Sequence, residues 1–232
     1  MSDRPRGPKY GTIDRDYAIR LATTPPENDG PIWMLNLMRY REVAEYRDGR
    51  ESGISGQEAD DAYAPTDVLR DIGAEVAFFA DVVEQVRGEE PAWHRVAVVR
   101  YPTRKSFIDM QTRNDFQEKH EHKEAGMERT IVMGTRPLAD PVTVDLASRT
   151  ADDVVVLRVQ RRTDYTPTAA GSFAIEGTIV GDGRTWDHAH YERFPSHAAA
   201  TTALAAEAED PAIADAYVLV VRPRIDRIHP GR

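Results

Sequence analysis

Two ten-residue blocks, far apart in the chain, constrain its architecture more than any other feature. "WHRVAVVRYP" (93–102) and "WDHAHYERFP" (186–195) share Trp, Arg and Pro at their first, eighth and tenth positions, and Tyr101 corresponds to Phe194. Each block follows an apolar stretch with a Gly-containing turn, "VAFFADVVEQVRGEEP" and "FAIEGTIVGDGRT". Asp182-Gly183 is a strong hairpin signal, because both residues tolerate positive φ. A helix start follows each block, "TRKSFIDM" and "SHAAATTALAAEA". Each half then closes on a short apolar strand ending in Arg-Pro, "TIVMGTRP" (130–137) and "AYVLVVRP" (216–223).

The opening strands correspond as well, "PIWMLNLMRYR" (31–41) with "DVVVLRVQRR" (153–162). In the first half a helix lies between the opening strand and the hairpin. Ser55 and Glu58 in "SGQE" form a capping box, and Ala59, Ala62, Tyr63, Thr66 and Leu69 follow at helical spacing. The order βαββαβ is the ferredoxin-like pattern, an antiparallel sheet with helices on one face. In the second half only "TDYTPTAAGS" (163–172) joins the first two strands, too short and too rich in Pro and Gly for a full helix. The first helix of that repeat is therefore missing. "DRDYAIRLATT" (14–24), with Tyr17 and Leu21 at i,i+4, is the candidate to cover the bare surface. The expected division is an N-terminal arm with a short helix (1–30), a first ferredoxin-like repeat (31–140) and a degenerate second one (150–228).

Composition narrows the partners. With 30 basic and 39 acidic residues among 232, the net charge of -9 leaves no basic surplus to neutralise nucleic acid or an anionic membrane. The basic tail from Arg222 to Arg232 reads as a solvated terminus. The absence of cysteine excludes disulfides, thiolate metal sites and cysteine nucleophiles. No apolar run reaches the length of a membrane span, and "MSDRPRGPKY" has no signal-peptide apolar segment, so a cytoplasmic protein is the default expectation.

The stretches "WMLNLMRYRE", "AEYRDGRESGISGQEADDAY", "WHRVAVVRYPTRKSFIDM" and "DFQEKHEHKEAGMERTIVMG" resemble an uncharacterised bacterial family of the dimeric α/β-barrel superfamily. The resemblance covers about residues 31–137; the second half matches by pattern only. It implies two ferredoxin-like units pairing their sheets, with a small-ligand pocket inside the barrel or between sheet and helices. Members include cofactor-independent monooxygenases, muconolactone isomerase, chlorite dismutase and haem-dependent enzymes, so no single reaction follows. A tandem copy allows the barrel to form within one chain as a pseudo-dimer, and a homodimer of that unit stays open.

Apolar demand sets the expected faces. Leu35 and Leu37 are assigned to the helices, which sends Met34, Asn36 and Met38 to the barrel side. By correspondence Arg158 and Gln160, Arg95, and the set His188, His190 and Glu192 also face the barrel, with Glu176 nearby. Met34, Met38, Asn36, Arg95, Gln160 and Glu176 are then ligand-binding candidates, an apolar wall facing a polar cluster. For catalysis the candidates are His188 or His190 as base, Glu192 as its orienting partner and Arg158 as stabiliser of an anionic oxygen. The expected activity is cofactor-independent acid/base chemistry, of isomerase, lyase or monooxygenase type, on a small oxygenated metabolite. The alternatives are a non-catalytic ligand-binding or interaction protein, or a metal- or haem-dependent enzyme using His188 and His190. Two histidines at i,i+2 on a strand reach one ion, but a third ligand must come from elsewhere, with Glu176 the nameable one. His120, His122 and Lys123 in "KHEHKEAG" read as a solvated helix face, with His120 within reach of the cleft mouth. Gly88, Gly181 and Gly183 belong to hairpin turns, not to a phosphate loop.

Overall fold

The computed structural model describes residues 8–138, 150–162, 171–207 and 213–228. In chain order its elements are β1 (Thr12–Ile13), α1 (Arg15–Thr23), β2 (Ile32–Tyr40), α2 (Gly56–Tyr63), α3 (Thr66–Asp71), β3 (Glu75–Arg87), β4 (Arg95–Tyr101), α4 (Arg104–Met110) and α5 (Asn114–Gly126). There follow β5 (Met127–Pro137), β6 (Val154–Arg161), β7 (Ser172–Gly181), β8 (His188–Phe194), α6 (His197–Ala206) and β9 (Asp215–Asp226). The strands run in the order β7-β5-β2-β4-β3-β9-β6-β8, and β8 pairs back onto β7. All these pairings are antiparallel, so eight strands close a barrel and β1 adds to β7 from outside.

This closure corrects the tandem ferredoxin-like, dimeric α/β-barrel architecture expected from the sequence. The strands form one closed sheet, to which the halves contribute β5-β2-β4-β3 and β9-β6-β8-β7, and not two separate sheets. β3 pairs with β9 from Phe78↔Asp226 to Arg87↔Val218, and β5 pairs with β7 from Val132↔Val180 to Pro137↔Phe173. An antiparallel sheet left open would present unpaired N–H and C=O groups at both edges, and closure removes those edges. The long β3 supplies one of the two seams, and bulges along it bend the sheet round the corner.

One residue in two points inward. Leu35 and Leu37, Val96 and Val98, Leu157 and Val159, Ala189 and Tyr191, and Tyr217 and Leu219 meet in one apolar cluster inside the barrel. Phe78, Tyr191 and Phe173 stack edge to face at 5.4 and 5.5 Å between ring centres, and Trp93 and Trp186 both pack on Tyr217. Eight strands leave room for side chains and little else, so this interior is a core rather than a lumen.

The helices cover the outer wall. α1, α3, α4 and α5 pack over β2, β4, β5 and β7, joining Tyr17, Leu21, Leu69, Phe107 and Phe116 to Met34 and Val132. α6 covers β6 and β9, with Ala200 against Val154, Val156 and Val220. The capping box of Ser55 and Glu58 starts α2, and Thr103 and Ser196 cap α4 and α6. α1 is capped by Asp14 and lays Tyr17 across Gly134 and Gly177, which face each other on β5 and β7. A Cβ on Gly177 would stand 2.8 Å from that ring, so the bare strand surface is what lets the helix sit down. α1 therefore does reach the second half, through β7, and it also packs on α4. Residues 163–170 of the short connection and 229–232 of the basic tail lie outside the described residues. Among the described residues no helix is long and apolar enough to cross a membrane.

The α2–α5 crossing is the closest helix contact. A Cβ on Gly126 would stand 2.2 Å from the Gly56 carbonyl oxygen, while Gly126 accepts from Arg41 N at 2.9 Å and Gly56 N donates to the Arg41 carbonyl at 3.1 Å. Gly126→Ala forces these backbones apart and should cost about 1–3 kcal/mol as overpacking. Thermal denaturation should register a loss of roughly 2–4 °C per kcal/mol. An unchanged midpoint would contradict the close crossing.

Candidate functional site

The same alternation that fills the barrel exports the polar residues. With Leu35, Leu37, Val96 and Val98 inside, their neighbours Met34, Asn36, Met38, Arg95, Ala97 and Val99 face outward. The face assignment made from sequence is thus reversed. Both faces of β2 are apolar, seven of its nine residues being buried, so apolar demand did not discriminate between them. Closure does, because a dry, side-chain-filled interior has no partner for an amide or a guanidinium.

Between this outer face and α2–α5 lies a cavity of about 660 Å³. Its walls are mainly apolar: Met34 and Met38 from β2, Ala97 and Val99 from β4, Leu69 from α3, Phe107 and Met110 from α4, and Phe116 from α5. Polar groups also reach it, among them Tyr10, Asn36, Asp60, Asp61, Tyr63, Arg95, Tyr101, His120 and Lys123. Four of the expected ligand-binding residues, Met34, Met38, Asn36 and Arg95, therefore line a cavity, but on the helix side of the sheet.

Arg95 anchors this region. It is 1% exposed, and its Nη1 donates to Asp61 at 2.7 Å, with longer contacts to Asp60 and the Tyr40 hydroxyl, while Nε reaches Asp81 at 3.4 Å. Its guanidinium also lies over the Phe79 ring, 4.7 Å from the centroid. Tyr40 donates to Asp60 at 2.6 Å, and burial followed by the Asp60 charge holds its proton well above the ordinary tyrosine range. Asn36 donates to the Met34 carbonyl at 2.9 Å.

Next to them stand His120 and Tyr10. The Tyr10 hydroxyl meets His120 Nε2 at 3.2 Å, and the ring packs between Tyr63 and Phe116. Burial, then the neighbouring Lys123 and Arg47 charges, lowers the imidazole to about 4, so it is neutral at physiological pH. His120 Nδ1 is buried without a hydrogen-bond partner among the described residues. Lys123 follows one turn later, its Nζ 5.3 Å from the Tyr63 ring centre.

The reading of this stretch as a solvated face is thereby corrected for Lys123, while His120 lines the cavity, in keeping with its expected reach to the cleft mouth. Phe116, His120 and Lys123 fall at i, i+4 and i+7, one stripe of α5, and the buried Phe116 turns that stripe toward the cavity. That spacing was the signal, masked by the charged residues between. Asp60 and Tyr63 sit on the matching face of α2 beside Ala59, and Tyr10 comes from a segment with no periodic pattern.

The expected catalytic cluster lies elsewhere. His188, His190 and Glu192 do share one face of β8, opposite the inward Ala189 and Tyr191, and Arg158 and Gln160 stand across from His190 and His188. That face is the outside of the barrel, so none of the five borders the cavity. Arg158 pairs with Glu192 at 3.0 Å and with Glu207 at the end of α6, and His190 Nδ1 meets the Ser172 hydroxyl at 2.9 Å. Burial lowers the His188 imidazole as well. Glu176, the expected third ligand of a metal, is held instead by Arg104 and by Arg136 at 2.5 Å. Among the described residues no group of three or more His, Asp and Glu side chains is placed to hold a metal ion.

The two arginine clusters should respond differently to loss of charge. Arg95→Met strands Asp60 in a buried setting and should cost about 3–5 kcal/mol. Arg158→Met leaves Glu192 and Glu207, each about half exposed, in water, and should cost no more than about 1 kcal/mol. Urea denaturation of the two variants checks the contrast; equal losses would contradict it.

No protein-family model matches the chain, and no curated protein does. Two crystal structures resemble it: a methylated RPA0582 protein, at 30% identity and a TM-score of 0.49, and the RPA0582 protein of unknown function from Rhodopseudomonas palustris, at 26% and 0.48. Each likeness spans 56% of this chain and 97% and 98%, respectively, of the other, and neither description specifies a ligand or a reaction.

Proposed function

We propose that this chain binds a small, mainly apolar, oxygen-bearing molecule in the cavity outside the barrel and moves a proton on it. One observation carries the reading: a cleft of about 660 Å³ whose walls are mainly apolar and whose polar groups include a neutral histidine. That volume and that composition are the ordinary attributes of a small-molecule site. His120 is the base, held at Nε2 by Tyr10 and open at Nδ1. Asn36, whose amide donates only to Met34 among the described residues, orients the ligand oxygen. Arg95, tied to Asp60 and Asp61, fixes α2 against β4 and so positions Tyr63 rather than reacting itself.

A thermal-shift screen with small phenols, ketones and carboxylic acids tests the location. Compounds that stabilise the protein should lose their effect in Ala97→Trp, which fills the cavity from β4. Hits that survive Ala97→Trp and vanish in the His188→Ala/His190→Ala double variant would move the site to β8.

The state of His120 has its own test. Its folded-state value of about 4 lies below the ordinary 6.5, so between those pH values the unfolded chain binds the additional proton. Stability therefore falls as pH drops from about 6.5 toward 4, and His120→Gln removes this contribution. The difference in urea midpoint between wild type and variant should change across that window and be flat above pH 7. A difference independent of pH would contradict a buried, neutral His120.

A further inference from the structure

Of the 30 Lys and Arg residues only four are lysine, which makes the placement of each informative. Lys9 is exposed, Lys119 lies on α5 away from the cavity lining, and Lys105 is paired with Asp109 at 2.6 Å. Lys123 alone lines the cavity. Among the described residues no carboxylate stands within 4.0 Å of its Nζ and no hydrogen bond reaches it. The titratable groups around it are Asp60 and Tyr63 from α2, Tyr101 from β4, His120 from its own helix and Tyr10 across the polar end. Asp60, the one negative charge that acts on it, is already engaged by Tyr40 and Arg95.

From this geometry we infer that Lys123 is an amine nucleophile, which condenses with the carbonyl group of an aldehyde or ketone held in the cavity. Arginine in the same place would stay charged at any working pH, whereas a half-buried lysine gives up its proton more readily than a solvated one. Burial does lower the Lys123 ammonium, against the opposing pull of Asp60. An amine on an apolar wall, with burial disfavouring its charged form, is the arrangement that activates lysine toward carbonyl carbon.

The step balances without any oxidant or metal. The nitrogen lone pair adds to the carbonyl carbon and the carbonyl π pair moves to oxygen, which takes up a proton that the nitrogen gives up. The carbinolamine then expels that oxygen as water, the two hydrogens of the amine leaving with it, and an imine remains. Tyr63, whose ring touches both Lys123 and His120 and which burial keeps protonated, is the nearby acid. His120, neutral and one turn away on α5, is the nearby base for a proton beside the imine carbon.

The inference rests on the cavity being the ligand site, and the test keeps the two apart. Purified protein is incubated with 2-naphthaldehyde, an apolar aldehyde with no enolisable proton, and sodium cyanoborohydride, and the modified lysines are located by peptide mass spectrometry. In parallel, thermal shifts are recorded with 2-naphthaldehyde and with 2-naphthoate, without reductant. The expected result is one dominant adduct on Lys123, at least tenfold over Lys9, Lys105 and Lys119, with stabilisation by the aldehyde. Lys123→Met should lose that adduct while keeping the wild-type circular dichroism spectrum. Adducts spread evenly over the four lysines would overturn the inference. Stabilisation by the aldehyde without an adduct, or by naphthoate alone, would overturn it while leaving the cavity as a ligand site, with Lys123 then serving as a counter-ion. Neither shift nor adduct would overturn both.

Discussion

Closure of the sheet is the constraint on which the rest of this molecule depends. Once β8 pairs with β7, each strand commits one face to an interior that holds only side chains, and that face is mainly apolar, with the buried Thr135 opposite Trp33 and Asp226 opposite Phe78. Everything polar on the alternate positions is exported. In the second half this leaves Arg158, His190 and Glu192 on the outer surface beside α6; in the first half it leaves Asn36 and Arg95 under α2–α5. One geometric rule thus creates both polar clusters, and the helices decide which of them is enclosed.

Enclosure depends on how the helices are held off and held on. The Gly56–Gly126 crossing brings α2 and α5 into backbone contact at one end, and Arg95 ties α2 to β4 through Asp60 and Asp61. Side chains between those anchors, Met34, Leu69, Phe107 and Phe116 among them, line a space instead of meeting across it. The polar end inherits its properties from this cover: partial burial moves His120 and Lys123 toward their neutral forms, and Tyr63 keeps its proton. In the proposed function, two groups that are ordinary on a solvated helix act as base and nucleophile by location.

Local signals carried much of the fold. Ser55 and Glu58 announced α2, Thr103 and Ser196 the starts of α4 and α6, and Gly183 the β7–β8 turn with φ of 93°. What local pattern did not carry was which strands become neighbours across the halves, since the β3–β9 and β5–β7 seams join segments with no shared motif. The faces failed for a related reason. Period 2 correctly grouped Met34 with Asn36 and Met38, and His188 with His190 and Glu192, but β2 is buried on both sides, so grouping did not say which way was in. His120 and Lys123 were hidden differently, their cavity-facing stripe interleaved with Glu118, Lys119, Glu121 and Glu124, and only Phe116 marked it.

In the proposed function, ligand enters the space outside the barrel wall and not the barrel or the β8 strand, and the methionines report on it directly. Met34, Met38 and Met110 line the cavity, whereas Met133 lies in the barrel interior and Met127 packs with Tyr10 and Tyr40. Titration of methyl-¹³C-methionine protein with 2-naphthaldehyde, followed by NMR, separates these places in one spectrum. Saturable shifts are expected at Met34, Met38 and Met110 with Met133 unmoved. Shifts at Met133, or saturable binding that moves none of the three cavity methyls, would contradict it.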